Sequence, residues 1–232
     1  MFGNSQVWVI GKKEVKHFNR HETKPLWRGF EMGYNTWVDN NFSFSLSPGK
    51  ELYELRVEKS NSVGLNILQA QKELGNSNAW IFTGLGITWN NYRFDSDVLL
   101  ENSTKYTTAY KDTAAGVNHL KSKLVAVYLT APVMFEVFTS RKFKNAFHIG
   151  AGGMLGLRIG SHTKQKIEMD GDVSKNKVFD DFNLNTFRYG FRVAIGYGRL
   201  NLYADYYPSP VFKNNKGPVL YPFNVGITLL GI

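Results

Sequence analysis

Residues 187–207 read FRYGFRVAIGYGRLNLYADYY. Phe187, Tyr189, Phe191, Val193, Ile195 and Tyr197 alternate with Arg188, Gly190, Arg192, Ala194, Gly196 and Gly198, a period of two that puts each set on its own face of a β-strand. Beyond Gly198 the alternation resumes, with Leu200, Leu202, Ala204 and Tyr206 against Asn201, Tyr203, Asp205 and Tyr207. So short an interruption implies a tight hairpin. In a soluble β-sandwich or lipocalin-like barrel the apolar face enters the core and the other carries Lys, Glu and Thr toward water. Here the second face is Gly, Arg and Asp, which suits a narrow polar interior surrounded by lipid.

The same alternation recurs along the chain. The last segment sets Tyr221, Phe223, Val225, Ile227 and Leu229 against Asn224, Gly226 and Thr228. Phe147, Ile149, Ala151, Leu155, Leu157 and Ile159 oppose His148, Gly150, Gly152, Met154, Gly156 and Arg158. Leu129, Ala131, Val133, Phe135 and Val137 oppose Thr130, Pro132, Met134, Glu136 and Phe138, where Pro132 predicts a bulge. In the first half, Ile81, Leu85, Ile87 and Trp89 oppose Phe82, Gly84, Gly86 and Thr88, and Val63, Leu65 and Ile67 oppose Gly64 and Asn66. Phe30, Met32, Tyr34 and Val38 oppose Gly29, Glu31, Gly33 and Asn35, completing eight strands.

Connections alternate between long (residues 39–62, 95–119 and 162–183) and short (near 75–76, 141–144 and 198), with one of medium length near 213–217. The expected fold is therefore all-β, an eight-stranded antiparallel up-and-down transmembrane β-barrel with long extracellular loops and short periplasmic turns. Residues 26–232 form the barrel and residues 1–25, polar and basic, a periplasmic segment. Phe187 and Tyr197 are ten residues apart, roughly 33 Å along a strand and roughly 25 Å along the membrane normal at barrel tilt, which matches the lipid-facing band. With Tyr206, Tyr221 and Phe223 they form the expected lipid-facing aromatic belt. Trp27 and Trp37 share that spacing, yet the register turns them inward with Glu31; either a bulge intervenes or the register is wrong.

The totals agree with this reading. Aromatic residues are 15% of the 232-residue chain and glycine numbers 22, suiting closely packed strands. No run approaches the roughly 18 apolar residues of a spanning helix, and mean hydropathy is negative. The absence of cysteine excludes disulfides, thiolate metal sites and cysteine nucleophiles. The net charge of +9 is scattered through turns and loops, which describes a solvated basic surface facing outer-membrane lipid and lipopolysaccharide and no nucleic acid. Residues 1–18, MFGNSQVWVIGKKEVKHF, lack the order of a secretory signal, so export implies that this is a mature or truncated form.

The runs WIFTGLGITWNNYRF at 80–94 and LTAPVMF at 129–135, with the ending KGPVLYPFNVGITLLGI, resemble the PorT-like outer-membrane β-barrel proteins of Bacteroidetes over roughly residues 26–232. The resemblance implies the barrel and its membrane address, roles that include accessory parts of secretion machinery, and no shared catalytic residues or cofactor. Ile232 departs from the aromatic residue with which outer-membrane strands usually end.

Six ionisable residues face inward: Glu31, Glu136, Arg158, Arg188, Arg192 and Asp205, with His148 nearby. A barrel of eight strands has an interior just filled by side chains, so these should pair and close the lumen; the functional alternative is a gated ion path, or small pore. A lipid-modifying enzyme would need a nucleophile arranged with a histidine, but His119, His162 and Ser161 lie in loops without recognisable spacing. MDGDVSKN at 169–176 lacks the bidentate Glu of a calcium loop and reads as a turn. Asp112-Thr113-Ala114 resembles a short O-glycosylation motif of exported Bacteroidetes proteins, marking Thr113. The expected role is non-enzymatic and without cofactor: a structural or accessory subunit binding other outer-membrane or periplasmic proteins through loops or periplasmic ends.

Overall fold

The computed structural model describes residues 26–75, 78–103, 105–140, 142 and 146–231. Residues 1–25 and Ile232, both given roles above, lie outside the described residues. Eight long strands close a barrel: β1 (Gly29–Val38), β2 (Asn61–Glu73), β3 (Ala79–Arg93), β6 (Val117–Phe138), β7 (Phe147–Met169), β9 (Phe187–Tyr197), β10 (Leu200–Tyr206) and β11 (Tyr221–Leu230). All neighbours are antiparallel, in the order β6-β3-β2-β1-β11-β10-β9-β7, and β6 pairs with β7 to close the ring. Three further strands, β4 (Val98–Asn102), β5 (Thr107–Lys111) and β8 (Asp172–Phe179), belong to the connections.

The wall is inverted relative to a soluble protein. Phe187 is 73% exposed, Ile149 62% and Phe191 63%, while Glu31, Glu136, Asp205, Asn35, Asn224 and Thr130 are buried inside. Exposed outward aliphatics recur on every strand of the ring, so the apolar surface is a belt around the barrel. β9 and β10 meet through a two-residue turn with Gly198 at φ 57°, a conformation favouring glycine.

β1 pairs with β11 in one constant register from Gly29 to Val38, so the inward placement of Trp37 stands without a bulge. Trp27 and Trp37 are 3% and 1% exposed, and their ten-residue spacing does not mark a membrane girdle. The bulge expected at Pro132 does not form. The β3–β6 register is unchanged on either side of it, from Thr83↔Val133 to Gly86↔Thr130, and the β3 ladder simply lacks pairs between them. Bulges lie instead at Asn66/Leu68, where Ile67 and Leu68 both point outward, at Val127/Tyr128 and at His119/Lys121.

Two expected long loops contain strand. β6 begins at Val117 and β7 continues to Met169, pairing well past the lipid-facing residues, and β8 adds a third strand to this extracellular extension. At roughly 3.3 Å per residue, the 23 residues of β7 run about 75 Å, far longer than a membrane crossing requires. The β7–β8 turn is Asp170-Gly171, both at positive φ, the geometry that an Asp-Gly pair favours in a two-residue hairpin.

The remaining extracellular segments fold into a lid. Leu46, Tyr53, Phe94, Val98, Leu100, Ala109, Phe182, Leu184, Phe212 and Leu220 form one apolar core with Trp37, Tyr92, Leu124 and Tyr128 of the upper barrel. Polar bonds tie its parts. Trp37 Nε1 donates to the Tyr53 carbonyl at 2.8 Å, the Tyr53 hydroxyl donates to the Thr107 carbonyl at 2.8 Å, and Asn183 Nδ2 donates to Asn102 Oδ1 at 2.8 Å. Burial pushes the Tyr53 phenol up to about 12.

Candidate functional site

The lumen is where the expected charges gather, and the alternation of β1, β9 and β10 aims them there. Arg192 lies between two carboxylates. Its Nε and Nη2 donate to Asp205 at 2.6 and 2.9 Å, and its Nη1 and Nη2 donate to Glu31 at 2.5 and 3.0 Å. Both contacts are two-pronged, the geometry in which a guanidinium binds carboxylates most strongly. Glu31 also accepts from Asn66 Nδ2 at 2.9 Å and from Thr228 Oγ1 at 3.3 Å. The guanidinium packs 4.2 Å from the Tyr203 ring and 5.4 Å from the Trp27 ring.

Glu136 pairs with His148 Nδ1, while His148 Nε2 lies 3.3 Å from the Gly198 carbonyl and the imidazole stacks on Phe138 at 4.8 Å. Arg188 has no carboxylate partner among the described residues. Its guanidinium lies 3.7 Å from the Tyr128 ring and 4.4 Å from the Tyr207 ring, so aromatic faces take the place expected of a counter-ion. Arg158 does not join the network. It is half-buried at the upper rim, where its Nη1 donates to Ser161 Oγ at 2.9 Å and its Nη2 to the Leu184 carbonyl at 3.3 Å. Arg158 alternates with the outward residues of β7, but at its height the barrel interior has given way to the lid.

The chain also enters its own barrel. Gln69 Oε1 accepts from the backbone N–H of Leu26, Trp27 and Arg28 at 2.9, 2.6 and 3.1 Å, anchoring the segment before β1. Leu26 and Trp27 then pack with Trp80, Phe82, Met134, Phe138, Met154 and Tyr207 inside the barrel. A Cβ added at Gly84 would stand 2.3 Å from Trp27 Cδ1, so only glycine admits the indole so close to β3. Sequence reasoning missed this plug, whose sole signal was an indole just before a strand that also turns tryptophan inward.

The belt residues lie on the outer wall. Phe187 and Tyr197 are exposed, while Tyr206, Tyr221 and Phe223 are half-covered, Phe42 sitting 5.1 Å from Tyr206 and Phe44 5.6 Å from Phe223. The candidates expected in loops lie in strands, His119 in β6 and Ser161 and His162 in β7; Ser161 Oγ donates to the Asp180 carbonyl at 2.5 Å, His162 packs 5.3 Å from Phe179, and His119 Nε2 lies 3.3 Å from Asp112 Oδ2. Neither histidine reaches Ser161, so the structure does not assemble a nucleophile and base from them. Thr113 is exposed in the connection between β5 and β6.

A closed ring of eight strands, apolar outside and polar within, defines a membrane-spanning β-barrel of the bacterial outer membrane. The chain belongs to the outer membrane protein β-barrel domain family, whose model matches residues 20–209. Among solved structures it is similar to Ail, the attachment invasion locus protein of Yersinia pestis, at 12% identity and a TM-score of 0.35 over 88% of this chain and 99% of that one. No curated protein matches the sequence.

Proposed function

We propose that this outer-membrane barrel is a non-enzymatic accessory subunit of an outer-membrane assembly, related to the PorT-like proteins of Bacteroidetes and serving secretion or a similar transport machinery. The observation that carries this reading is the filling of the lumen from end to end. Leu26 and Trp27 block it from below together with the Glu136–His148 pair beside the β9–β10 turn, the Arg192 network lies against Trp27, and the apolar lid closes it above. A barrel so filled works through its surfaces, namely its extracellular extension, its loops and its periplasmic ends, including residues 1–25.

The test is a pull-down of the full chain from native outer membranes after chemical crosslinking, alongside a variant lacking residues 1–25 and one in which residues 165–178 are replaced by a two-residue turn. Loss of a specific protein partner from either variant, with the barrel still shifting on a gel when boiled, supports the reading. Retention of no specific partner by the intact chain overturns it. Changed lipid profiles after replacement of His119 and His162 would instead favour a lipid-modifying enzyme. The exposed Thr113 fits glycosylation within the same exported setting, and an intact mass equal to the sequence mass would exclude it.

A further inference from the structure

Of three short runs, Lys121-Ser122-Lys123 lies about 40 residues before Lys164-Gln165-Lys166 and Lys175-Asn176-Lys177, which share one hairpin. The sheet brings them together. Lys123 is directly opposite Arg93 on one side and Lys164 on the other, and Lys164 is opposite Lys177, so four cations form one row across β3, β6, β7 and β8. In the adjoining row Lys121 is opposite Lys166 and Lys166 opposite Lys175. Directly paired residues share a face, with Cα atoms roughly 4.5–5.5 Å apart, and like charges so placed are destabilising. The scattered basic surface expected from sequence is thus an ordered array of seven cations. None of the seven forms an ion pair among the described residues; Glu168, farther along the same face, accepts from Asn118 Nδ2 at 3.0 Å.

Burial and the neighbouring cations act on the groups in the same direction. Burial, and then Lys121, Lys164, Arg93 and Lys177, push the Lys123 ammonium down to about 8. Burial, and then Lys177, Lys123 and Lys164, push the His162 imidazole down to about 4. Lys59, Arg93, Lys121, Lys123 and Lys166 line a cleft of about 650 Å³ with Asn61 and Asn91. Arg93, 9% exposed at this cleft, donates from Nη2 to the Leu120 carbonyl but leaves Nε without a partner.

The position of the array narrows the ligand. Arg93 and Lys123 share the outward face of Leu85, Ile87, Trp89, Leu129 and Val133, the face that meets lipid lower down. Arg93 is four residues beyond Trp89, roughly 13 Å along the strand and roughly 10 Å higher at barrel tilt, so the cations stand at outer-leaflet headgroup level. We propose that this face binds a phosphorylated glycolipid of the outer leaflet, its phosphates between the two cation rows and its acyl chains against the apolar wall around Ile87, Trp89, Val127 and Leu129. Clustered phosphate supplies the missing counter-charge, and the wall below accounts for a lipid-borne source.

The test uses the full chain in phosphatidylcholine vesicles containing a bisphosphorylated glycolipid, its dephosphorylated form, or neither. Glycolipid retention is measured by native mass spectrometry beside the thermal midpoint, for the parent and for the combined variant Lys121→Gln, Lys123→Gln, Lys164→Gln, Lys166→Gln. At the usual strength of a surface lysine toward anionic lipid, the four replacements together should make the variant retain the phosphorylated form about 1,000-fold less well. In plain vesicles it should melt above the parent, because repulsion is relieved, and the order should reverse with phosphorylated glycolipid. Equal retention by parent and variant, or equal retention of the dephosphorylated form, overturns the proposal. So does capture of soluble dextran sulfate by the array undiminished by vesicle-borne glycolipid, which would assign the array to a free polyanion.

Discussion

Arg192 bridges two buried carboxylates at once, so its removal should be far more damaging than loss of an ordinary buried side chain. Arg192→Met leaves Glu31 and Asp205 buried without their cation, which costs about 3–5 kcal/mol. The barrel should then lose its boiling-dependent gel shift at a lower temperature. Replacing all three together, Glu31→Leu, Arg192→Met and Asp205→Leu, should recover much of that loss, since a buried ion network is often matched by apolar residues that fill the same space. At Gly84, a methyl group would meet the Leu68 carbonyl and Trp27 Cδ1, each at 2.3 Å. Gly84→Ala should cost about 1–3 kcal/mol and expel the indole, read as a red shift in tryptophan emission. These residues were unequally legible. Alternation alone turned Glu31, Arg192 and Asp205 inward, but it could not give Arg188 its tyrosine faces or Arg158 its rim carbonyls. Which row of a barrel a residue occupies depends on strand stagger, and periodicity does not carry stagger.

At the level of the strand, lipid is what makes sequence readable. From 187 to 206 every outward position is apolar because hydrocarbon surrounds it, and the period of two stands out. In 117–123, 160–169 and 172–179 the strands have left the hydrocarbon, both faces carry polar residues, and the pattern vanishes although the hydrogen-bonded ladder continues. The surviving trace was the alternation of lysines, a charge pattern of period two. Because His162 and Lys123 titrate below their ordinary values in the folded chain, the unfolded chain binds more protons between the two values. The extension should therefore gain stability as pH rises from about 4 to 6.5 through His162, and again from about 8 to 10.5 through Lys123. An imidazole titration followed by NMR should show the His162 midpoint near 4 and move it upward in Lys177→Gln; a midpoint unchanged by that substitution would contradict the electrostatic account.

The molecule as a whole is a sealed body. Plug, ion network and lid fill the lumen together, Trp27 standing 5.4 Å from the Arg192 guanidinium, so planar bilayers containing the protein should show no steady conductance, and removal of Trp27 alone should not create one. A steady current from the intact chain would overturn the closed-lumen reading. The lid was the least legible part of the fold. Its apolar residues, from Leu46 to Leu220, are dispersed singly or in runs as short as Val98–Leu100 through four connections, too few together to show a period.

The length of β7 has a mechanical consequence. From Gly160 to Met169 it runs on for roughly 30 Å into the β8 turn, paired with β6 through a single bulge at His119/Lys121 and with β8 in constant register from His162, and its lower half is part of the barrel wall. A molecule grasping Asp170 and Gly171 would hold the end of a stiff mast stepped in the membrane, able to stand clear of a surface coat of sugars. Tension or torque applied there would pass through paired backbone directly into the wall.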